Sequence, residues 1–216
     1  MIKSISIKII LLVVGISCVV LAAGIYRFNF TNDDIYVDGK PVSVAMKENS
    51  RVMRMLFSFQ TDKYWQIELP DSKLKIPLME LKEYNGHHFA VGEYQFGQER
   101  GVVSVDYPRI TVLNFTYVQD EMIFAVPFSV SNQGSGVHWY IGLYNMNTKY
   151  GDIQQIDSLF VGDRIVINEM NTDEPFDVTS SIRLAYFSHG PAQSMADDPS
   201  VNTTKLIKVT PKGFVK

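Results

Sequence analysis

The chain has 216 residues, 46% of them hydrophobic and 12% aromatic, with a single cysteine, which excludes a disordered tether. Lys3, Lys8 and Arg27 are three of its 20 basic residues; from Phe28 onward the remaining 17 face all 23 acidic ones, a formal charge of −6. With no basic block of five or more, that balance argues against nucleic acid and anionic membrane surfaces as partners.

The first predicted element is the apolar run of 17 residues from Ile9 to Ile25, preceded by Lys3 and Lys8 and closed by Arg27. As a helix it covers ~25 Å, the lower limit for a hydrocarbon core of about 30 Å, and residues 5–7 lengthen it with Lys8 snorkelling to the interface. The expectation is a retained transmembrane signal anchor over 9–27 with residues 1–8 in the cytoplasm, because the basic residues gather on the amino side. The pairs Val20/Ala22 and Ala22/Gly24 also offer signal-peptidase spacing, so removal after export is the alternative. Both readings place the remainder outside the cytoplasm, as a periplasmic or equivalent domain at the inner (plasma) membrane, and the anchor reading makes the lipid bilayer a partner. Cys18 lies within the run, with Gly15 three places before it and Val19, Val20 and Leu21 after it, which is no lipoprotein pattern. The exported part therefore has no thiol, and a disulfide framework, a thiolate nucleophile and a Cys-ligated metal are all excluded.

Residues 28–50 are expected to form a linker and the start of the domain, and residues 51–216 an extracytoplasmic β-rich domain. Two short alternating pieces in 34–44 flank Asp38-Gly39, a hairpin signal. Strands are predicted at 51–59 and 64–69. Leu74, Leu78 and Leu81 fit a helical face, but Pro77 inside it costs ~3 kcal/mol, so a short helix is expected to begin near Pro77. Further strands are predicted at 88–96, 101–106, 109–117, 122–130, 137–145, 153–160, 164–170, 180–187 and 204–209, with Gly, Asn, Asp or Pro in most gaps. The expected class is mainly β with antiparallel sheets, α+β to the extent of that one short helix, preceded by one N-terminal transmembrane helix.

Gly134-Ser135-Gly136, the aromatic stretch His138-Trp139-Tyr140, the segment Ser158 to Ile165 with Gly162-Asp163-Arg164, the stretch Tyr186 to Met195, and Pro199-Ser200-Val201 occur in this order. Over 132–209 the chain resembles a family of uncharacterised bacterial exported proteins, many of them lipoproteins, that share a leucine-glycine-aspartate-arginine turn and a later tyrosine-to-methionine segment. The resemblance implies export and supplies no activity. Where relatives carry charges in that later segment, this chain reads Phe187-Ser188-His189-Gly190-Pro191-Ala192-Gln193-Ser194, and the calcium-type loop of some relatives is absent from 117–122. A family role resting on those charges or on an ion is not expected here.

The chemistry-bearing residues give weak signals. Gly162 is expected to hold an unusual backbone angle, Asp163 to bond turn amides and Arg164 to pair with a carboxylate, with an anion clamp at Arg164 as the functional alternative. Asp163, Arg164 and His189 are the candidate binding residues, and no catalytic residue is assigned. His87, His88, His138 and His189 lack HxH or HExxH spacing, so neither a metal nor any other cofactor is expected. Ser135 sits between two glycines before a predicted strand, which fits a hairpin closing Val130 onto Val137 better than a nucleophile elbow or phosphate loop. Asn145 to Lys149 reads as a turn. The three sequons, at Asn29, Asn114 and Asn202, are read as chance in a chain with a bacterial-type amino terminus. Tyr64, Trp65, Tyr94, Phe96, Trp139, Tyr140 and Tyr144 are assigned mainly to the core, the remainder being available for a carbohydrate or peptide groove.

These features predict a membrane-anchored binding or envelope-interaction module with an envelope protein or glycan as partner. The rival is an exported hydrolase with a carboxylate or His site assembled from distant strands. A cleft holding two carboxylates of displaced pKa favours the enzyme, and an apolar patch or free sheet edge the binding module. Nothing in the chain speaks to oligomeric state.

Overall fold

The structure is a computed structural model and describes residues 64–84, 86–115, 119–173 and 178–215, with Gly15, Ser17, Val19, Tyr36–Val37 and Lys40–Pro41. The chain divides into two compact units, Met1–Ser43 and Val44–Lys216. In the first, Gly15, Ser17 and Val19 are helical, and β1 (Tyr36–Val37) pairs antiparallel with β2 (Lys40–Pro41), Val37 opposite Lys40. The expected turn at Asp38-Gly39 lies outside the described residues. Apart from those three helical positions, the expected anchor over 9–27 lies outside the described residues, as does the strand expected at 51–59. No helix among the described residues is long and apolar enough to cross a membrane.

The second unit is built on a central antiparallel sheet. Its strands are β5 (Glu80–Tyr84), β6 (His87–Phe96), β7 (Glu99–Val105), β9 (Glu121–Asn132), β10 (Val137–Asn147) and β11 (Ile153–Asp163), in the spatial order β11-β10-β9-β7-β6-β5, with β8 (Thr111–Val112) also pairing β9. The sequences of β9 and β10 run almost continuously apolar, as expected of strands covered on both faces. Phe124, Val126, Phe128, Tyr144 and Met146 join one core with Trp65, Ile67 and Ile76, carried by or flanking the short pair β3 (Gln66–Glu68) and β4 (Lys75–Pro77). Ala125, Ile141 and Leu143 face the other way, into a core with Ile167, Ile182, Leu184 and Ile207. That second core is closed by a four-stranded sheet ordered β12 (Val166–Thr172), β13 (Ser181–Ser188), β14 (Val201–Thr210) and β15 (Gly213–Phe214). Asp157 of β11 ties β15 down by accepting the Phe214 amide at 3.0 Å.

A proline in the central strand β9 needs a reason, since Pro removes a ladder donor. The N–H and C=O of one strand residue point to the same side, and the Pro127 carbonyl accepts the Asp106 amide at 3.0 Å. Asp106 follows β7 and precedes the 3-10 turn Tyr107–Arg109, so the missing donor faces the gap between β7 and β8, where no ladder bond is required.

The short helix expected near Pro77 does not form. Residues 72–84 fold instead as β4 and β5, with Ile76 buried to 2% and Leu81 57% exposed. Period-two burial across Lys75, Ile76 and Pro77 against Trp65 and Ile67 overrides the helical spacing of three leucines, one of which reaches no core. The only helix of the second unit among the described residues is that single 3-10 turn. At the far edge, all five residues of β5 are exposed on a strand that has one partner.

Candidate functional site

Two hairpin turns meet at one end of the central sheet. Gly97 and Gln98 join β6 to β7, with Phe96 opposite Glu99, and residues 133–136 join β9 to β10, with Ser131 opposite Val137. The expected hairpin at Gly134-Ser135-Gly136 is present, its register set by Ser131 rather than Val130. Because β7 pairs β9, with Gly101 opposite Asn132, both turns lie at the same end. Alternation then puts the pairs Tyr94/Phe96, Val130/Asn132 and His138/Tyr140 on one face of the sheet, with Gly101 of β7 between the first two.

These side chains line a cleft of ≈ 230 Å³, completed by the β3–β4 turn with Leu69, Asp71 and Ser72 and by Glu99. Gly101 makes room for it: a Cβ there would lie 2.5 Å from the Tyr94 ring and 2.6 Å from the Ser131 carbonyl oxygen, so only glycine lets the tyrosine lie flat across its neighbour. Tyr94 then donates its hydroxyl to Glu99 at 2.9 Å. Tyr140 stacks on the fully buried Phe128 at 5.3 Å and meets the edge of Phe160 at 5.4 Å, which fixes its ring. Tyr94 is 8% exposed and Phe96 59% exposed, so the cleft has a set wall and an open lip. Burial, then the hydrogen bond and charge of Glu99, push the Tyr94 phenol up to about 12, and burial followed by the Asp71 carboxylate raises Tyr140. Both phenols are neutral donors at physiological pH.

Of the three residues singled out in the sequence, Asp163 and Arg164 form a corner beside this end of the sheet, and His189 belongs to the loop that Arg164 bonds. Asp163 accepts the Val137 amide at 2.7 Å through one oxygen, while the other lies 3.6 Å from Arg164 Nε, an ionic contact beyond hydrogen-bond range. Arg164 donates to Ser135 Oγ at 3.0 Å and to the Met195 carbonyl at 3.1 Å, tying the β9–β10 turn to the loop before β14. His189 Nε2 sits 2.8 Å from the Asp197 carbonyl in that same loop. The left-handed angle belongs to Arg164, at φ 48, and not to Gly162 as expected. Gly162 remains in strand β11 opposite Trp139, where a Cβ would press to 2.9 Å from Ile165 Cγ2. Removing the Asp163 carboxylate leaves the Val137 amide without its acceptor, so Asp163→Ala is expected to cost about 1–3 kcal/mol. Arg164→Gly and Arg164→Ala lose the same side-chain bonds, but glycine adopts the positive φ freely, so the glycine variant should be about 1 kcal/mol more stable in thermal unfolding. Equal stability of the two would remove the backbone argument; wild-type stability with lost partner capture would make Arg164 a binding residue.

His138 belongs to both places, lining the cleft and standing 3.8 Å from Asp163 across the β10–β11 pair. The carboxylates with displaced pKa are elsewhere. Burial drives Asp106 upward against the lowering effect of its ion pair with Arg109. For Asp173 burial pushes upward too, but hydrogen bonds from the Ser180 hydroxyl at 2.8 Å and the Ser181 amide at 3.0 Å outweigh it and the pKa is lowered. Neither lines the cleft. Among the described residues no group of three His, Cys, Asp or Glu is placed to hold a metal ion.

The core assignment holds for Tyr94, which is buried, and for Tyr140, which packs against the core, while Phe96 is exposed at the lip; Asp71 and Glu99 were not singled out in the sequence. The available signal was the i, i+2 aromatic pair Tyr94/Phe96 before a Gly-containing turn, and the pair His138/Tyr140 after another. No protein-family model, no curated protein and no solved structure matches this chain.

Proposed function

We propose that this chain is a single-pass, N-in membrane protein whose β-rich domain works outside the cytoplasm as a binding module of the cell envelope, with the cleft at Tyr94, Phe96 and Tyr140 as its binding site. The observation that carries the reading is that cleft. It offers aromatic side chains held by packing and a few polar groups around them, the usual make-up of a small recognition site. The basic residues before Ile9 and the resemblance over 132–209 support the exported location.

Two experiments test this. A reporter fused after Lys216 should behave as exported and the protein should stay with membranes after a carbonate wash; a mature amino terminus at Ala23 or Ile25 would overturn the anchor and leave export standing. A photo-crosslinking residue placed at Phe96 in the full chain in cells should capture an adduct that the same residue at Tyr150, which is 63% exposed, does not. Identical patterns at the two positions would sink the cleft as a binding site.

A further inference from the structure

We infer that the cleft takes a small organic cation, an alkylated ammonium group lying against the Tyr94 and Phe96 rings, beside the fixed wall of Tyr140, with its charge toward Asp71 and Glu99. This rests on the reading of the cleft as a binding site and names its ligand class. Asp71 and Glu99 both line the cleft, while no lysine or arginine does; His138 is its one basic side chain. An anion would meet two carboxylates and is disfavoured outright. The domain's formal charge of −6 from Phe28 onward acts in the same direction over longer range, drawing cations and repelling anions.

The aromatic lining supplies the second half of the argument. A ring presents a negative face, and a cation that has shed its water is held there far better than at an exposed ring. Tyr140 cannot turn aside, being stacked on Phe128 and edge-to-face with Phe160, so it forms a fixed wall of the cleft. Tyr94 is fixed by its bond to Glu99, which also holds that carboxylate beside the ring. The Asp71 turn is closed by main-chain bonds of 2.9 Å between Leu69 and Leu74 and between Lys73 and Leu69. Size acts in the same direction: ≈ 230 Å³ lies below the ~300–1,000 Å³ of drug-sized pockets, which suits a single headgroup.

The test is titration calorimetry on the full chain in a polyoxyethylene detergent, which carries neither sugar nor ammonium. The probes are choline chloride, 3,3-dimethylbutan-1-ol, which has the same shape with carbon in place of nitrogen, and methyl glucoside. Choline should bind about tenfold or more tightly than its carbon isostere, and its affinity should fall as salt rises. Phe96→Ala removes an exposed ring, and Glu99→Gln removes charge while keeping an acceptor for Tyr94. Each should weaken choline binding about tenfold with an unchanged thermal midpoint. Should Phe96→Ala lower that midpoint, Glu99→Gln decides. Equal affinity for choline and the isostere, binding of methyl glucoside alone, or no binding of choline would each overturn the cation; the crosslink at position 96 decides separately whether the cleft binds anything.

Discussion

Tyr144→Ala is expected to destabilise the second unit by about 3–5 kcal/mol, the range for emptying a fully buried aromatic site. Tyr144 is 0% exposed and lies at the junction of three elements: its ring meets the edge of Trp65 at 5.4 Å and stacks on Phe124 at 5.3 Å. Its hydroxyl donates to Gln155 Oε1 at 3.1 Å, and the same side-chain amide bonds the Glu68 backbone at 2.8 and 3.1 Å, joining β11 to β3. Tyr144→Phe keeps the ring and loses only that bond, so it should cost about 1 kcal/mol. The gap between the two variants, read from urea midpoints, measures packing apart from hydrogen bonding. If both variants cost the same, Tyr144 is held by its hydroxyl and the core account is wrong.

Stability should also fall steeply above pH 10. Burial raises Tyr144 well above the ordinary phenol value, and burial with Glu99 takes Tyr94 to about 12. In the unfolded chain these phenols ionise near 10. Between those values the folded state holds protons that the unfolded state has released, so the free energy of unfolding declines as pH rises, by up to about 1.4 kcal/mol per pH unit for each proton retained. The Tyr94 contribution ends near its folded value and amounts to a loss on the order of 2 kcal/mol between pH 10 and 12. Tyr144 adds to it in the same direction. Urea midpoints of the full chain in detergent, taken at half-unit steps, should show the decline, and Tyr94→Phe should make it shallower. A midpoint that stays level from pH 9 to 11.5 would contradict the burial of these hydroxyls.

The strand-rich class was legible because its signals are local. Strands β9, β10 and β13 announce themselves by β-branched and aromatic residues, and the turns between them by Gly, Asn and Asp, all within a dozen residues. Local reading failed where a distant partner decided the outcome. Ile76 is in a strand because Trp65 and Ile67 cover the first face of the central sheet, which outweighs the leucine spacing around Pro77. Likewise the positive φ fell to Arg164, since its amide bonds the Val137 carbonyl at 2.8 Å across the corner, a geometry no spacing within 158–165 encodes.

From the sequence alone came the apolar run 9–25 with its flanking charges, the absence of any thiol after Cys18, the acidic balance and the many short strands, because each depends on composition or on neighbours along the chain. The cleft was decided by tertiary structure. Tyr94 and Tyr140 are 46 positions apart and come together only through the β7–β9 pairing, which sets Gly101 against Asn132 and brings two hairpin ends side by side. An aromatic residue on a strand has the same local pattern whether its face is covered to the end or left open at the last turn; here Tyr94 is buried and Phe96, two residues on, is 59% exposed, and both line the cleft beside the β3–β4 turn.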